Sequence, residues 1–271
     1  MDAELTRQLI RLVERAGDAI LEIYQTDFSV DFKADDSPLT QADLAAHRII
    51  AAELAELTPQ VPLLSEESSP PSFEERKRWS RYWLVDPLDG TKEFVNRNGE
   101  FTVNIALIDG HRSVFGVVGV PVQGLVYTGD LERGEAHRYR GGERETLNGR
   151  AMGDDQPLVI VASRSHGGER LEAYVDALGE IYPEVIRTGV GSSLKLCILA
   201  EGRADLYPRL GPTSEWDIAA AHAVLAAAGG DLWAVDGSVL TYNNKKSFLN
   251  PEFFAVADGG YPWRERLPAV A

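Results

Sequence analysis

The sequence predicts a mixed α/β protein, α+β in its first half and α/β in its second. Three patterns predict it. Apolar residues recur every three or four positions near the N-terminus, short β-branched and aromatic runs follow, and strand-like and helix-like segments alternate from about residue 157.

Leu5, Leu9, Leu12, Ala16, Ile20 and Ile23 lay an apolar stripe on a helix from about Asp2 to Tyr24. The polar, turn-rich run Lys33-Ala34-Asp35-Asp36-Ser37-Pro38 separates it from a second helix over 41–57. Thr40 is the expected N-cap there, and Asp43 closes an Asp variant of the capping box. Strands are expected at 61–64, 82–85, 101–109, 113–120 and 125–128, with Gly110-His111-Arg112 turning a hairpin between the third and fourth. The charged, Gly-rich stretch 129–152 holds the least readable elements of the chain. Beyond it come strands at 158–162, 183–187, 204–207, 231–235 and 253–257, and helices near 169–178, 192–200 and 218–228. With no linker, repeat or low-complexity tract, this reads as one compact unit of two subdomains, 1–152 and 153–271.

The 271 residues suffice for a sizeable core. A net charge of −15 excludes a nucleic-acid polymer as partner. It leaves room for a small phosphorylated ligand, because a bound divalent cation inverts the local field. Cys197 is the one cysteine, so no internal disulfide forms and a reducing compartment fits. The N-terminus lacks a secretory pattern and no segment is apolar for the length of a bilayer, so a cytoplasmic protein is expected. Peripheral attachment at the inner membrane face stays open, and the oligomeric state is not fixed.

Asp86-Pro87-Leu88-Asp89-Gly90-Thr91 follows the apolar run 82–85 directly. Two carboxylates three residues apart at a strand end can converge on one point, and Gly-Thr can turn main-chain amides toward it. Alone, such a pair is commonly a solvated loop or a cap. Glu66 and Glu67 follow the strand at 61–64, and Asp217 opens the helix at 218–228. Acids crowded into one site repel unless cations neutralise them. An all-oxygen set that includes the Leu88 carbonyl suits two Mg²⁺ ions, which can clamp both oxygens of an in-line phosphoryl transfer. The chain lacks a G-x-S-x-G elbow, a Walker-type loop, a CxxC and a His-x-x-x-His pair, which favours attack by a metal-activated water over a covalent intermediate.

Lys33-x-Asp35-x-Ser37-Pro38-x-Thr40-x-x-Asp43, Ser65-Glu66-Glu67, Asp86-Pro87-Leu88-Asp89-Gly90-Thr91 and Trp216-Asp217-x-Ala219-Ala220 resemble, in order, the signature blocks of the inositol monophosphatase-like, lithium-sensitive phosphatases. Lys92-Glu93-Phe94, Asn98-Gly99-Glu100-Phe101-Thr102-Val103-Asn104, Ser163-Arg164-Ser165-His166, Gly191-Ser192-Ser193-Leu194-Lys195 and Tyr207-Pro208-Arg209 are similar to the 3′(2′),5′-bisphosphate nucleotidase branch. The resemblance implies a five-layered αβαβα sandwich and hydrolysis of adenosine 3′,5′-bisphosphate to AMP and phosphate in sulfur assimilation, with action on the sulfated relative also open. It further implies two or three Mg²⁺ ions. Glu66, Asp86 and the Leu88 carbonyl would hold one, and Asp86, Asp89 and Asp217 the second. Gly90 and Thr91 amides would receive phosphate, while Thr91, paired with Asp43 and assisted by Glu66, would orient and deprotonate the water. Lys92, Ser192, Ser193, Lys195 and Arg209 would join Glu66, Leu88, Asp89, Gly90, Thr91 and Asp217 around substrate. A lid near Lys33 is implied as well.

Blander readings stand beside these. Asp43 and Asp217 can simply serve their helix N-termini. Gly191-Ser192-Ser193 can be an ordinary cap, and Arg209 can pair with a structural acid. His166 and His222, Cys197, the tryptophans and Lys245-Lys246 read as structural. Two other functions remain open: an inositol or sugar monophosphate phosphatase, and a catalytically silent, metal-dependent nucleotide sensor.

Overall fold

The computed structural model describes residues 1–32, 38–163 and 168–270. The expectations for Lys33, Asp35, Ser37 and the lid, and for Arg164, Ser165 and His166, lie outside the described residues. Helix α1 (Ala3–Tyr24) begins at the N-cap Asp2, which accepts the Glu4 N–H, and α2 (Gln41–Leu57) begins at Thr40. A ribbon of β1 (Val30–Phe32) and β2 (Pro38–Thr40) lies between them in the chain.

The first sheet runs in chain order: β3 (Leu63–Ser65), β4 (Arg81–Asp89), β5 (Thr102–Asp109), β6 (Arg112–Val120), β7 (Leu125–Asp130), β8 (Glu135–Arg140) and β9 (Glu143–Thr146). It is an antiparallel meander apart from the parallel β3–β4 pair. Short helices α3 (Phe73–Arg76) and α4 (Thr91–Val95) flank β4. The remaining strands are β10 (Leu158–Ala162), β11 (Val185–Gly189), β12 (Leu206–Arg209), β13 (Asp231–Ala234) and β14 (Phe253–Val256). They form a second sheet ordered β11-β10-β12-β14-β13, accompanied by α5 (Gly168–Gly179), α6 (Leu194–Ala200), α7 (Glu215–Ala227) and α8 (Trp263–Arg266).

Five layers follow from where each face is buried. Trp83, Val85, Val103, Ile105 and Val117 of the first sheet pack with Leu9, Leu12 and Ile20 of α1 and Ile50 and Leu54 of α2. Leu84, Ala106, Ile108 and Val118 face the other way, onto Leu196 and Leu199 of α6 and Ala219 and Val224 of α7. The same core continues to Tyr207, Phe253 and Ala255 of the second sheet. The outer face of that sheet meets Tyr174 and Leu178 of α5 and Trp263 of α8. Because β4 and β5 are covered on both faces, their sequences are continuously apolar rather than alternating. Helix α7 is apolar all round for the same reason. It lies so close to the sheet that a Cβ on Gly116 would sit 2.0 Å from the Ala220 carbonyl oxygen, and one on Gly129 would sit 2.4 Å from Val224 Cα. Among the described residues, no helix is long and apolar enough to cross a membrane.

Several expectations need correction. Strand β4 extends to Asp89, so Asp86 and Asp89 belong to its irregular end, where the register with β5 shifts, instead of following it. Pro87 has no N–H for the ladder, which is why the pairing breaks there. Helix α7 starts at Glu215, placing Asp217 inside its first turn, and α6 starts at Leu194 rather than Ser192. The stretch 129–152 contains β8 and β9; exposure of all four β9 residues removed the apolar signal that marks a strand. The short helices α3 and α4 beside β4, and α8 near the C-terminal end, are too short for a readable period and lie outside the sequence expectations.

Candidate active site

At the end of β4, Asp86 is buried and its Oδ1 accepts the Leu88 N–H at 3.0 Å. Gly90 follows at φ 90°, a left-handed conformation that costs a glycine little, and it turns the chain into α4. The Thr91 hydroxyl lies 3.3 Å from Asp43 Oδ1 and 3.4 Å from the Leu88 carbonyl. Asp43 Oδ2 meanwhile accepts the Thr40 N–H at 2.8 Å and the Thr40 hydroxyl at 2.7 Å. One carboxylate therefore caps α2 with one oxygen and faces Thr91 with the other. The capping reading and the site reading of Asp43 are both compatible with its position.

Asp217 repeats the device. Its Oδ2 accepts the Ser214 N–H at 2.8 Å, closing a capping box on α7. Asp89 Oδ2 accepts the Ser193 N–H at 2.5 Å, across from the second half of the chain. Glu66 is anchored behind β3 by its own N–H on the Val85 carbonyl, at 3.1 Å, and it shares a side-chain hydrogen bond with Asp86. Burial first, then the neighbouring Glu66, Asp89 and Asp217, hold the Asp86 carboxyl well above the usual range. Burial likewise pushes Asp89 up to about 6, against the pull of Lys195 and the Ser193 N–H. Asp217 is raised well above its usual value by burial and by Asp89. As the side chains stand, no three acidic, imidazole or thiol groups among the described residues converge on one ion position. Asp86, Asp89 and Asp217 each spend an oxygen on a main-chain N–H instead. The donor chemistry still fits a hard divalent cation: oxygen only, partly buried, and mutually repelling unless neutralised.

Asp89, Gly90, Thr91 and Asp217 line a cavity of about 260 Å³ together with Lys92, Ser163, Ser192, Ser193, Lys195, Tyr207 and Arg209. Nearly every residue singled out in the sequence around a ligand meets here, while Asp43, Glu66, Asp86 and Leu88 do not line it. Lys195 is buried, with Nζ 3.2 Å from the Val190 carbonyl and 5.4 Å from the Tyr207 ring centroid. Burial pushes its ammonium down to about 8. Arg209 donates to the Gly211 and Pro212 carbonyls at 3.2 and 2.6 Å, not to a structural acid. Of the run read as a cap for α6, Ser192 Oγ accepts the Leu194 N–H at 3.4 Å, whereas Ser193 makes no side-chain cap; its hydroxyl lies 2.8 Å from Thr102 Oγ1 and 2.8 Å from Asn104 Oδ1. Thr102 and Tyr207 stand inside the quoted family blocks but carried no assigned role; Tyr207 lines the cavity, and Thr102 lies beside Asp89. The available signal was Thr102 and Asn104, polar at i and i+2 on an otherwise apolar strand. His222 bonds the Tyr242 hydroxyl and Cys197 is buried, both structural as expected.

A seven-stranded and a five-stranded sheet sandwiching α6 and α7, with acids gathered where β4, α7 and the loop before α6 meet, define a phosphatase-type site. The chain belongs to the inositol monophosphatase family, whose profile it matches over residues 1–258. Enzymes of that family are metal-dependent, generally on Mg²⁺. It is 50% identical over 248 residues to the 3′(2′),5′-bisphosphate nucleotidase CysQ of Escherichia coli K12, covering 91% of this chain and 97% of that one. It is 34% identical to the Haemophilus influenzae CysQ over 265 residues, 97% of each. The crystal structure of CysQ from Bacteroides thetaiotaomicron superimposes with a TM-score of 0.80 at 40% identity, covering 90% of this chain and 94% of that one. A Thermotoga maritima inositol monophosphatase shares the fold, with a TM-score of 0.76 at 20% identity, over 98% and 96% of the two chains.

Proposed function

We propose that the chain is a 3′(2′),5′-bisphosphate nucleotidase that hydrolyses the 3′-phosphate of adenosine 3′,5′-bisphosphate to AMP and phosphate. One observation carries the choice of substrate: the cavity that holds Asp89 and Asp217 also presents Lys92, Lys195 and Arg209. A cation set of that size suits a ligand with two phosphate groups better than a monophosphate. The identity to named CysQ proteins over nearly the whole chain supports the same reading.

Glu66, Asp86 and the Leu88 carbonyl would hold one Mg²⁺, and Asp86, Asp89 and Asp217 a second, with a third ion open. Bound there, Mg²⁺ neutralises the acids, polarises the phosphoryl group and lowers the pKa of water. The chain's own residues do the rest. Gly90 and Thr91 N–H groups point out of the turn that starts α4 and receive phosphoryl oxygens. Thr91 orients water through its hydroxyl, and Asp43 Oδ1, 3.3 Å from that hydroxyl, takes the proton. Glu66 assists as a second acceptor. Lys195, Arg209 and Lys92 bind the phosphate that is not cleaved, and Ser192 and Ser193 border the ribose.

A cytoplasmic enzyme clearing a by-product of sulfate activation is the matching physiological role. An inositol phosphatase would use the same acids, so substrate comparison is the deciding experiment. Turnover of adenosine 3′,5′-bisphosphate should exceed that of inositol 1-phosphate; faster cleavage of inositol 1-phosphate would overturn the assignment. A silent sensor would bind nucleotide and release no phosphate in Mg²⁺.

A further inference from the structure

We propose that Thr102 is a positioning residue for Asp89, fixing one oxygen of that acid and tying it to the second half of the chain. The proposal rests on the reading of Asp89 as a metal ligand. Thr102 is fully buried, opens β5, and pairs directly opposite Asp89 in the sheet. Its Oγ1 lies 3.4 Å from Asp89 Oδ2, 3.3 Å from Ser192 Oγ and 2.8 Å from Ser193 Oγ. The Ser193 N–H reaches the same Asp89 oxygen at 2.5 Å. Asp89 Oδ2 thus sits between two donors, one from the first sheet and one from the loop that enters α6. Little slack remains around that loop. Gly191 donates its N–H to Glu100 Oε2 at 2.8 Å, and a Cβ on Gly191 would meet Glu93 Cγ at 2.7 Å.

The orientation of Asn104 gives this cluster a direction. A hydroxyl has one proton to give. If Ser193 gives its proton to Asn104 Oδ1, Thr102 spends its own on Ser193, and Asp89 loses a donor. That arrangement also leaves Asn104 Nδ2 buried without a partner. An amide turned by half a revolution puts its NH₂ on Ser193 instead. Ser193 then donates to Thr102, and Thr102 to Asp89, so every proton in the chain points toward the carboxylate. The unpaired group becomes a carbonyl oxygen, which tolerates burial better than an orphaned N–H. A threonine present only for its strand preference would need no such chain.

Thr102→Val separates the two roles, because valine keeps the shape and β-branching and removes only the hydroxyl. Mn²⁺ binding to the substrate-free protein, followed by electron paramagnetic resonance of the free ion, reads the acid directly. Thr102→Val should weaken Mn²⁺ binding about 10-fold, with Thr102→Ala doing the same and Thr102→Ser restoring most of it. The melting temperature in chelator should stay within a few degrees of wild type. Wild-type Mn²⁺ affinity in Thr102→Val, or equal loss in Thr102→Ser, overturns the proposal. Asp89→Asn run in parallel isolates the premise: if it too binds Mn²⁺ like wild type, the metal-ligand reading fails first.

Discussion

Asp89→Asn should stabilise the metal-free protein while destroying its activity, and the size of the effect follows from the site. Burial raises the Asp89 carboxyl from 3.8 to about 6. At about 1.36 kcal/mol per pKa unit, the charged form is disfavoured in the fold by about 3 kcal/mol. The folded value lies above the unfolded one, so this acid favours the fold fully below about pH 3.8 and loses that contribution as pH rises through about 6. Asp89 is only half-buried along the cavity wall, and water there screens it, which brings the figure nearer about 1.5 kcal/mol. An amide avoids the charge and keeps an oxygen for the Ser193 N–H. For a chain of this length, about 1.5–3 kcal/mol corresponds to a melting temperature higher by about 3–5 °C. Thermal unfolding at pH 8 in chelator measures it. Added Mg²⁺ should shrink that advantage, and saturating Mg²⁺ should reverse it if the screened figure of about 1.5 kcal/mol holds. Wild type gains about 2.7 kcal/mol at a hundredfold excess over Kd, whereas the variant gains less and turns over at least about 100-fold more slowly. A variant that melts below wild type in chelator, or that gains as much from Mg²⁺, would refute the electrostatic reasoning.

Thr91→Ala should lower kcat by about 10²–10⁴ with little change in KM; a fall confined to KM would assign Thr91 to binding alone. Lys195 is held down to about 8 by burial, so KM for the bisphosphate should climb as pH rises through 8 and the ammonium is lost. Lys195→Met should flatten that limb, and an unchanged profile would remove Lys195 from phosphate binding. Gly116→Ala drives a methyl group into the Ala220 carbonyl of α7. It should cost about 3 kcal/mol or more, read as a lower denaturant midpoint, and a neutral result would mean that α7 is free to shift.

Much of this molecule was legible because its local signals agree with one another. Thr40-x-x-Asp43 announced the start of α2, and the structure bears that cap out. The equivalent signal Ser214-x-x-Asp217 went unread, since the alanine-rich run beyond it drew the helix start to Ile218. Strand β9 was illegible for the opposite reason. Its residues Glu143–Thr146 are all exposed, and Glu145 meets Arg138 across the strands, so charge pairing rather than burial shapes its composition.

By itself the sequence determined the order of the main helices and strands, the acids at strand and helix ends, and the family blocks, because capping, periodicity and turn chemistry act over a few residues. Only the tertiary structure decided that Thr102 and Ser193 meet at Asp89 with Asn104 behind Ser193, that Asp43 serves a helix and Thr91 at once, and that Arg209 is held by carbonyls. Those contacts join residues up to 104 positions apart. They exist because two sheets close on α6 and α7, and that closure is set by packing volume, which no short stretch of sequence encodes.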